Sequence, residues 1–254
     1  MDWRRAKSVL IVSFFMLNVL LGYQLWTEWR ERLNTTVDWT SLSPETQQIM
    51  REKNITFLAE AKIPTDTPTM SSELTYSFQQ RIATNAGERV AFAKPPETRV
   101  VYNEQELTTA LGGIVPDLAS YQFDYPGSRQ GVFVFNRIVG GYPMFKIHME
   151  LFYSEQRILA YSQDVIELKP SEGAKDQQVL PASKAIANLI ERNLPAGSTI
   201  KEIKLGYYGE IFPDAERQVS APSWRVLLEN GETYYVNAIN AEVATEKVDA
   251  AAPQ

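Results

Sequence analysis

The sequence has no cysteine and a single histidine, His148. Disulfides and thiolate metal sites are therefore excluded, and a zinc site of histidine and cysteine ligands cannot be assembled. His148 lies between Lys146 and Glu150 on one side of a strand pattern, so we expect it to be half-exposed on a sheet rather than catalytic. Acidic residues exceed basic ones, 31 to 25. This balance argues against binding to nucleic acid or to an anionic lipid surface.

One segment, residues 8–27, has no charged residue and is rich in Leu, Val, Ile and Phe. A helix of this length rises about 30 Å, the thickness of a bilayer's hydrocarbon core. Arg4, Arg5 and Lys7 precede it, whereas the charges that follow it are balanced. Basic residues stay on the cytoplasmic side. We therefore expect a cytoplasmic tail at 1–7, a transmembrane helix at 8–27, and an extracytoplasmic remainder of a single-pass cell-membrane protein.

The alternative for this segment is a cleaved signal peptide. Such a peptide has a shorter apolar region, of about 7–15 residues, and ends at a small-x-small cleavage site. Here the apolar run is longer and ends in Gly22–Trp26 without an Ala-x-Ala pattern. These features favour an uncleaved anchor.

Two residues within the predicted span favour a specific contact with another membrane helix. Asn18 brings a primary amide into an apolar segment, where side-chain hydrogen bonds between helices contribute about 0.6–2 kcal/mol. Gly22 lies one turn further on the same face and allows close approach of a second backbone. We expect Asn18 and Gly22 to form a partner-binding face. The alternative is a simple anchor that tolerates one polar residue.

Beyond the span, three stretches have helix-start signals. Ser43-Pro44 combines a hydroxyl cap with proline at the first helical position. Asn103 with Glu106 resembles a capping box, and Pro181 opens an amphipathic pattern. Strand patterns follow at 121–125, 131–138, 142–153, 157–166, 203–207, 224–228, 233–238 and 242–248. The pattern at 142–153 alternates most clearly, and Asn230-Gly231 predicts a hairpin with a type I′ turn.

The order of these patterns predicts an α+β fold. A helix followed by an antiparallel meander occurs twice, at about 103–168 and 181–248, with a polar stretch at 169–180 between them. We therefore expect a stalk and first α+β unit at 28–170 and a second unit at 178–250. Few core contacts should cross between two such units.

No enzyme signature stands out. Ser198 and Lys201 have the S-x-x-K spacing, but they lead into a strand and lack companion motifs. Gly112-Gly113 and Gly140-Gly141 lack phosphate-loop spacing. Paired carboxylates could act on wall glycans, yet the acids in question, Asp164, Glu167, Glu202 and Glu210, have the setting of solvated faces. We expect no catalytic residue, no metal and no cofactor.

The chain resembles the YycI family. The likeness rests on Met1-Asp2-Trp3 followed by basic residues, on the span that begins at Lys7-Ser8, and on Asn18 within it. The hairpin at 224–243 is also similar to the small sheet units of PepSY-like extracytoplasmic modules. YycI proteins are membrane-anchored regulators that act with YycH on the WalK (YycG) sensor histidine kinase of low-GC Gram-positive bacteria.

This resemblance implies a non-enzymatic partner of a YycH-like protein and of the kinase, which tunes signalling through contacts in the membrane and outside it. Two alternatives stay open. One is a cell-surface hydrolase, which clustered buried acids in a deep cleft would favour. The other is a PepSY-like module that inhibits a protease or binds a ligand. An exposed apolar patch would favour a surface for a partner protein.

Overall fold

The computed structural model describes residues 14, 16–18, 21, 42–81, 89–171 and 173–246. Phe14, Met16–Asn18 and Leu21 are helical and exposed. The rest of the predicted span 8–27, and all of the predicted tail 1–7, lie outside the described residues. No helix formed by the described residues is long and apolar enough to cross a bilayer. The membrane helix therefore stays a prediction.

The helices begin where the capping signals predict. Helix α1 spans Pro44–Glu52, and the Ser43 hydroxyl accepts a hydrogen bond from the Thr46 amide at 3.2 Å. Helix α2 spans Glu104–Leu111, and Asn103 caps it through the Gln105 and Glu106 amides. Helix α3 spans Ala182–Arg192 after Pro181. Short 3₁₀ helices occur at Thr98–Tyr102 and Leu118–Ser120.

The strands form two antiparallel meanders, as the repeated pattern predicts. They are β1 Thr56–Phe57, β2 Thr69–Ser71, β3 Leu74–Arg81, β4 Val90–Ala91, β5 Tyr121–Phe123, β6 Val132–Val139, β7 Tyr142–Ser154, β8 Arg157–Lys169, β9 Asp176–Gln178, β10 Thr199–Tyr208, β11 Gln218–Leu228, β12 Thr233–Asn237 and β13 Val243–Glu246. Strands β5 to β8 pair in chain order, and so do β10 to β13. The α+β class is confirmed.

The alternation predicted for β7 is also confirmed. The apolar residues of one face are buried: Phe145, Ile147, Met149 and Leu151. On the other face Lys146 and His148 are half-buried, as we expect for a sheet surface. Glu150 departs from the pattern, because it is 3% exposed and accepts a hydrogen bond from Arg129 at 2.7 Å.

The two meanders are joined into one sheet. β10 pairs with β7 in parallel at Tyr207 and Met144, and β3 pairs with both β8 and β11. The pairings β10–β7–β8–β3–β11–β10 thus form a closed circuit. At the crossing, a Cβ on Gly206 would lie 2.4 Å from the carbonyl oxygen of Pro143. Glycine is therefore needed there for β10 to approach β7.

Two hydrophobic clusters fill the fold. The main core lies around the strand circuit and under α3, and it includes Tyr76, Ile147, Ile186, Leu189, Ile190, Trp224 and Val236. The second core lies between α2, the 3₁₀ helices and the sheet of β5 to β8, and it includes Val100, Val101, Leu107, Leu111, Leu118, Tyr121, Phe133, Phe135, Met149, Leu151 and Tyr161.

The expectation of few contacts across 169–180 is wrong. Strand β9 lies within that stretch and pairs with β2. On α1, Thr46 donates a hydrogen bond to Glu191 at 3.0 Å, and Lys53 after it donates to the Ile190 carbonyl at 2.7 Å. The polar composition of residues 169–180 predicts that they are exposed, but it does not predict that part of the stretch pairs with another strand. Whether 28–170 and 178–250 fold separately stays a prediction.

The hairpin predicted at Asn230-Gly231 joins β11 to β12, but its turn is not type I′. Gly231 has φ of 89°, whereas Asn230 is not among the residues with positive φ. The Asn230 side chain instead accepts a hydrogen bond from the Glu232 amide at 3.0 Å. This Asx bond stabilises a longer loop, closed by the Leu228 amide and the Glu232 carbonyl.

Candidate interaction surface

The second core is open along its β5 side. A groove of about 620 Å³ separates the helical layer from the edge of the sheet, and we call it the β5 groove. Its walls are Val101, Tyr102, Glu104, Leu107 and Ala119 on the helical side, and Tyr121, Gln122, Phe123, Phe135, Ile138 and Gly141 on the sheet side. Concavities beside Leu180 and beside Ile55 are smaller, at about 320 and 400 Å³.

An aromatic cluster lies along the groove, made of Tyr102, Phe123, Tyr125, Phe133, Phe135 and Tyr153. The Phe123 ring lies 5.9 Å from Tyr102, 6.3 Å from Tyr125 and 5.2 Å from Phe135, between ring centroids. The inner rings of Phe133 and Tyr153 stack at 4.3 Å. The two outer rings are largely in solvent, with Tyr102 66% and Tyr125 70% exposed. The surface therefore presents aromatic side chains that are continuous with a buried core.

Exposed aromatic rings of this kind are typical of protein contacts. Isolated apolar side chains on a surface need no explanation, but contiguous apolar patches mark sites of interaction. Tyrosine is enriched at interfaces because its ring is apolar and its hydroxyl can stay hydrated or find a partner. The β5 groove is thus the best candidate site on the described surface.

A buried ion pair holds the loop that follows β5. Asp124 is 2% exposed and accepts hydrogen bonds from both terminal nitrogens of Arg225 on β11, at 2.5 and 2.9 Å. Asn136 on β6 donates to the same carboxylate at 2.9 Å, and Glu202 on β10 accepts from Arg225 at 2.8 Å. The Arg225 guanidinium also lies 4.7 Å from the centre of the Phe145 ring. We call these residues the junction network, because they connect the two meanders.

The charges of the junction network stabilise one another. Burial by itself raises the pKa of Asp124, but the hydrogen bonds and charge of Arg225, together with Asn136, lower it below its ordinary value of 3.8. Burial by itself lowers the pKa of Arg225, and Asp124 and Glu202 raise it by more. Asp124 is therefore an ionised, paired carboxylate at neutral pH, and it is not a proton donor for catalysis.

The loop between β5 and β6 is itself closely packed. The Ser128 hydroxyl donates to the Asp124 carbonyl at 2.8 Å and accepts from the Val134 amide at 3.0 Å. A Cβ on Gly127 would lie 2.5 Å from a carboxylate oxygen of Asp124. This glycine is therefore required for the chain to pass over the buried carboxylate. The same turn carries Tyr125, so its exposed ring is presented by an ordered loop.

The acids weighed as catalytic groups do not converge on one cleft. Asp164 is buried on β8 and accepts the His148 amide at 3.4 Å. Glu167 pairs with Lys169 at 2.7 Å, Glu202 belongs to the junction network, and Glu210 is exposed after β10. Among the described residues there is no group of three or more His, Asp or Glu that could hold a metal ion.

Of the residues predicted to bind a partner in the membrane, Asn18 is described and Gly22 is not. Asn18 is helical and exposed, and its side-chain amide donates to the Phe14 carbonyl one turn earlier at 2.8 Å. That bond uses one amide hydrogen, while the group has a second hydrogen and a carbonyl oxygen for a partner. The proposed face of Asn18 and Gly22 stays a prediction.

The sequence patterns did not identify the β5 groove. The strand patterns place Phe123, Phe133 and Phe135 in ordinary strands, and Tyr102 lies just before a helix cap. The available signal is local density, because five of the residues from 121 to 135 are aromatic: Tyr121, Phe123, Tyr125, Phe133 and Phe135. Tyr121, Phe133 and Phe135 are buried, so this density does not by itself distinguish a core from an exposed site.

The described residues form an α+β scaffold with an open aromatic groove, and two of its buried acids, Asp124 and Glu150, are paired with arginines. These features suit an interaction module. Comparison with known families gives the more specific assignment. The model of the YycI protein family matches residues 40–239, and the chain belongs to the YycI family. This is a regulatory family connected with the YycH/WalK system, and it is not a known family of enzymes.

Other comparisons add little. No curated protein matches the sequence. A crystal structure of an uncharacterized protein from Eubacterium rectale ATCC 33656 is 12% identical over 45% of this chain, with a TM-score of 0.28. The match spans 37% of that protein's chain. A likeness at this level carries no argument about fold or function.

Proposed function

We propose that this chain is a non-enzymatic, membrane-anchored regulator of the WalK (YycG) sensor histidine kinase, acting together with a YycH-like protein. Residues 8–27 anchor it in the cell membrane with residues 1–7 in the cytoplasm, and the remainder lies outside. It acts by protein–protein contact in the membrane and beyond it. Membership of the YycI family supports the regulatory role.

The observation that carries the extracytoplasmic part of the proposal is the β5 groove. Tyr102 in its wall and Tyr125, which lies against the lining residue Phe123, are both largely exposed to water. Fully burying a large apolar side chain stabilises a complex by about 1.5–3 kcal/mol before the costs of association. The junction network keeps the Tyr125 loop ordered, so little conformational entropy is lost on binding. A partner that covers the groove extends the second core.

Within the membrane, Asn18 and Gly22 provide the proposed second contact. Leucine inserts more readily than asparagine, so Asn18→Leu should leave insertion intact while it removes the interhelical hydrogen bond. A loss of about 1 kcal/mol changes the bound fraction several-fold at intermediate occupancy. Gly22→Leu should weaken the same contact by steric exclusion. Leu20→Ile, on the opposite face of the predicted helix, is the matched control.

The test is reconstitution with the two named partners. The full-length chain, a YycH-like protein and WalK are placed together in nanodiscs, and association and kinase autophosphorylation are measured. We expect association, and a change in autophosphorylation when the chain is present. Tyr102→Ser with Tyr125→Ser should weaken association, whereas Phe212→Ser, which removes a ring that is 60% exposed elsewhere, should not. No association, or association without any effect on the kinase, contradicts the proposal.

Topology is tested separately. A reporter that is active only outside the cytoplasm, fused after Gln254, should be active, and the mature protein should retain Met1. A mature amino terminus near residue 28 contradicts the anchor, and an inactive reporter contradicts the orientation.

A further inference from the structure

β5 lies at the end of its sheet. Among the described strands it pairs with β6 and with no other. The Asp124 amide donates to the Val134 carbonyl at 2.8 Å, which puts these two residues at a hydrogen-bonded position of the ladder, although the Val134 amide donates to Ser128 instead. Hydrogen-bonded and non-hydrogen-bonded pairs alternate along an antiparallel ladder. Phe123 and Phe135 are therefore a non-hydrogen-bonded pair, and the N–H and C=O of Phe123 point away from β6.

Part of the β5 groove adjoins that edge, although residues of β6 line it as well. Tyr121, Gln122 and Phe123 make up both the edge strand and part of the groove wall. A further strand at this edge would place alternate side chains towards the groove, because successive residues of a strand point to opposite faces. The buried Leu107 and Phe135 form the apolar floor that these side chains would meet. The free backbone groups of β5 and the adjoining space for side chains therefore suit one kind of ligand, an extended polypeptide.

The charge of the groove indicates what kind of polypeptide segment would bind there. Among its described lining residues Glu104 is the one that carries a charge. Glu104 is exposed, and no described residue forms an ion pair with it. The whole chain is also acidic, with a net charge of −6. A lysine or arginine in the bound segment would complement this carboxylate.

We infer that the β5 groove binds an extended polypeptide segment by strand addition to β5. The segment has alternating apolar side chains that enter the groove, and a basic side chain that pairs with Glu104. Edge-strand recognition of this kind takes affinity from main-chain hydrogen bonds and specificity from pockets for alternate side chains. This inference rests on the proposed function in one respect, which is that the bound segment belongs to a partner protein.

The probe is a phage-displayed library of random peptides about ten residues long, long enough to cover a short edge strand. It is selected against the full-length chain in nanodiscs. We expect enriched peptides with alternating apolar residues and at least one lysine or arginine. Selected peptides should protect the Phe123 amide from hydrogen exchange, since that group lies on the free edge.

Variants locate the binding site. Glu104→Lys should weaken binding of the selected basic peptides about tenfold, and Tyr102→Ser about fivefold, through lost charge pairing and lost apolar contact. Phe212→Ser is the matched control and should leave peptide binding unchanged, since Phe212 is exposed to a similar degree and is not among the residues that line the groove. Far-ultraviolet circular dichroism establishes that each variant remains folded.

The inference is overturned if no peptide is enriched, if the enriched peptides bind Glu104→Lys and Tyr102→Ser as tightly as the unaltered chain, or if the Phe123 amide is not protected. Association with the YycH-like protein and WalK is measured separately, in nanodiscs without peptide. Association that persists while peptide binding fails overturns strand addition alone. Peptide binding without association with either protein overturns the proposed function alone.

Discussion

The main core and the second core are both built from helices packed on antiparallel strands, yet they differ in how far they are open. The groove beside the second core, about 620 Å³, is larger than the two concavities described beside the main core, about 320 and 400 Å³. In the main core Ile147, Ile186 and Leu189 are each 0% exposed. In the second core the exposed fraction rises from 0% at Leu111 to 66% at the adjoining Tyr102. The closed core accounts for the stability of the scaffold, and the open one leaves apolar surface for a partner.

The helices over the two cores differ in length and in burial. α3 buries five residues and, at 11 residues, is about 16 Å long. α2 has 8 residues, about 12 Å, and buries two, Leu107 and Leu111. The β5 groove lies beside the amino-terminal half of α2, at Glu104 and Leu107, and beside the segment that leads into it, at Val101 and Tyr102.

The largest expected effect is in the main core. Trp224 is 1% exposed, and its indole nitrogen donates to the Leu180 carbonyl at 2.8 Å. Trp224→Ala should lower the free energy of unfolding by about 3–5 kcal/mol, measured by chemical denaturation. Phe212→Ala should change it by about 0.5 kcal/mol or less. Equal effects of the two changes would contradict the role of buried Trp224 in the stability of the main core.

The junction network comes next, because it connects the two regions. Arg225→Met leaves the Asp124 carboxylate buried without its partner and should cost about 3–5 kcal/mol of stability. Asp124→Leu combined with Arg225→Met removes both charges and should recover much of that loss. A double variant no more stable than Arg225→Met would show that the loss does not come from the unpaired charge of Asp124.

Low pH should also weaken the ion pair between Asp124 and Arg225. The pKa of Asp124 is lowered in the folded state, so its contribution to stability is present above the unfolded value of 3.8 and is lost as the pH falls through the folded pKa. We expect the unfolding free energy to fall as the pH drops below about 3.8, and Asp124→Asn to flatten that slope. An unchanged slope in the variant would contradict the pairing.

The smallest expected effect on stability is at the open groove. Tyr102→Ser removes a ring that is 66% exposed, and it should change the free energy of unfolding by about 0.5 kcal/mol or less. The same change should weaken association with a partner that covers the groove. Thermal denaturation and binding, measured on one preparation, separate the two. A large loss of stability would show that the second core is closed at Tyr102.

Local features of the fold could be predicted from the sequence, and contacts between distant segments could not. Capping chemistry at Ser43, Asn103 and Pro181 located the helices because those signals act within one turn. Alternation located β7 for the same reason. The insertion of β3 between β8 and β11 has no local signal, because any antiparallel edge can accept it. The β5 groove depends on how the start of α2 and the segment before it lie relative to β5, which is again a relation between segments that are apart in sequence.

The most direct test of the account is photo-crosslinking from the groove in living cells. A benzophenone amino acid is placed at Tyr102 in the full-length chain, with Phe212 as the control position. The account predicts crosslinks from position 102 to the YycH-like protein or to WalK, reduced by Glu104→Lys, and none to either protein from position 212. Crosslinks of equal yield from both positions, or none from position 102, would contradict the claim that the open core is where this regulator meets its partner.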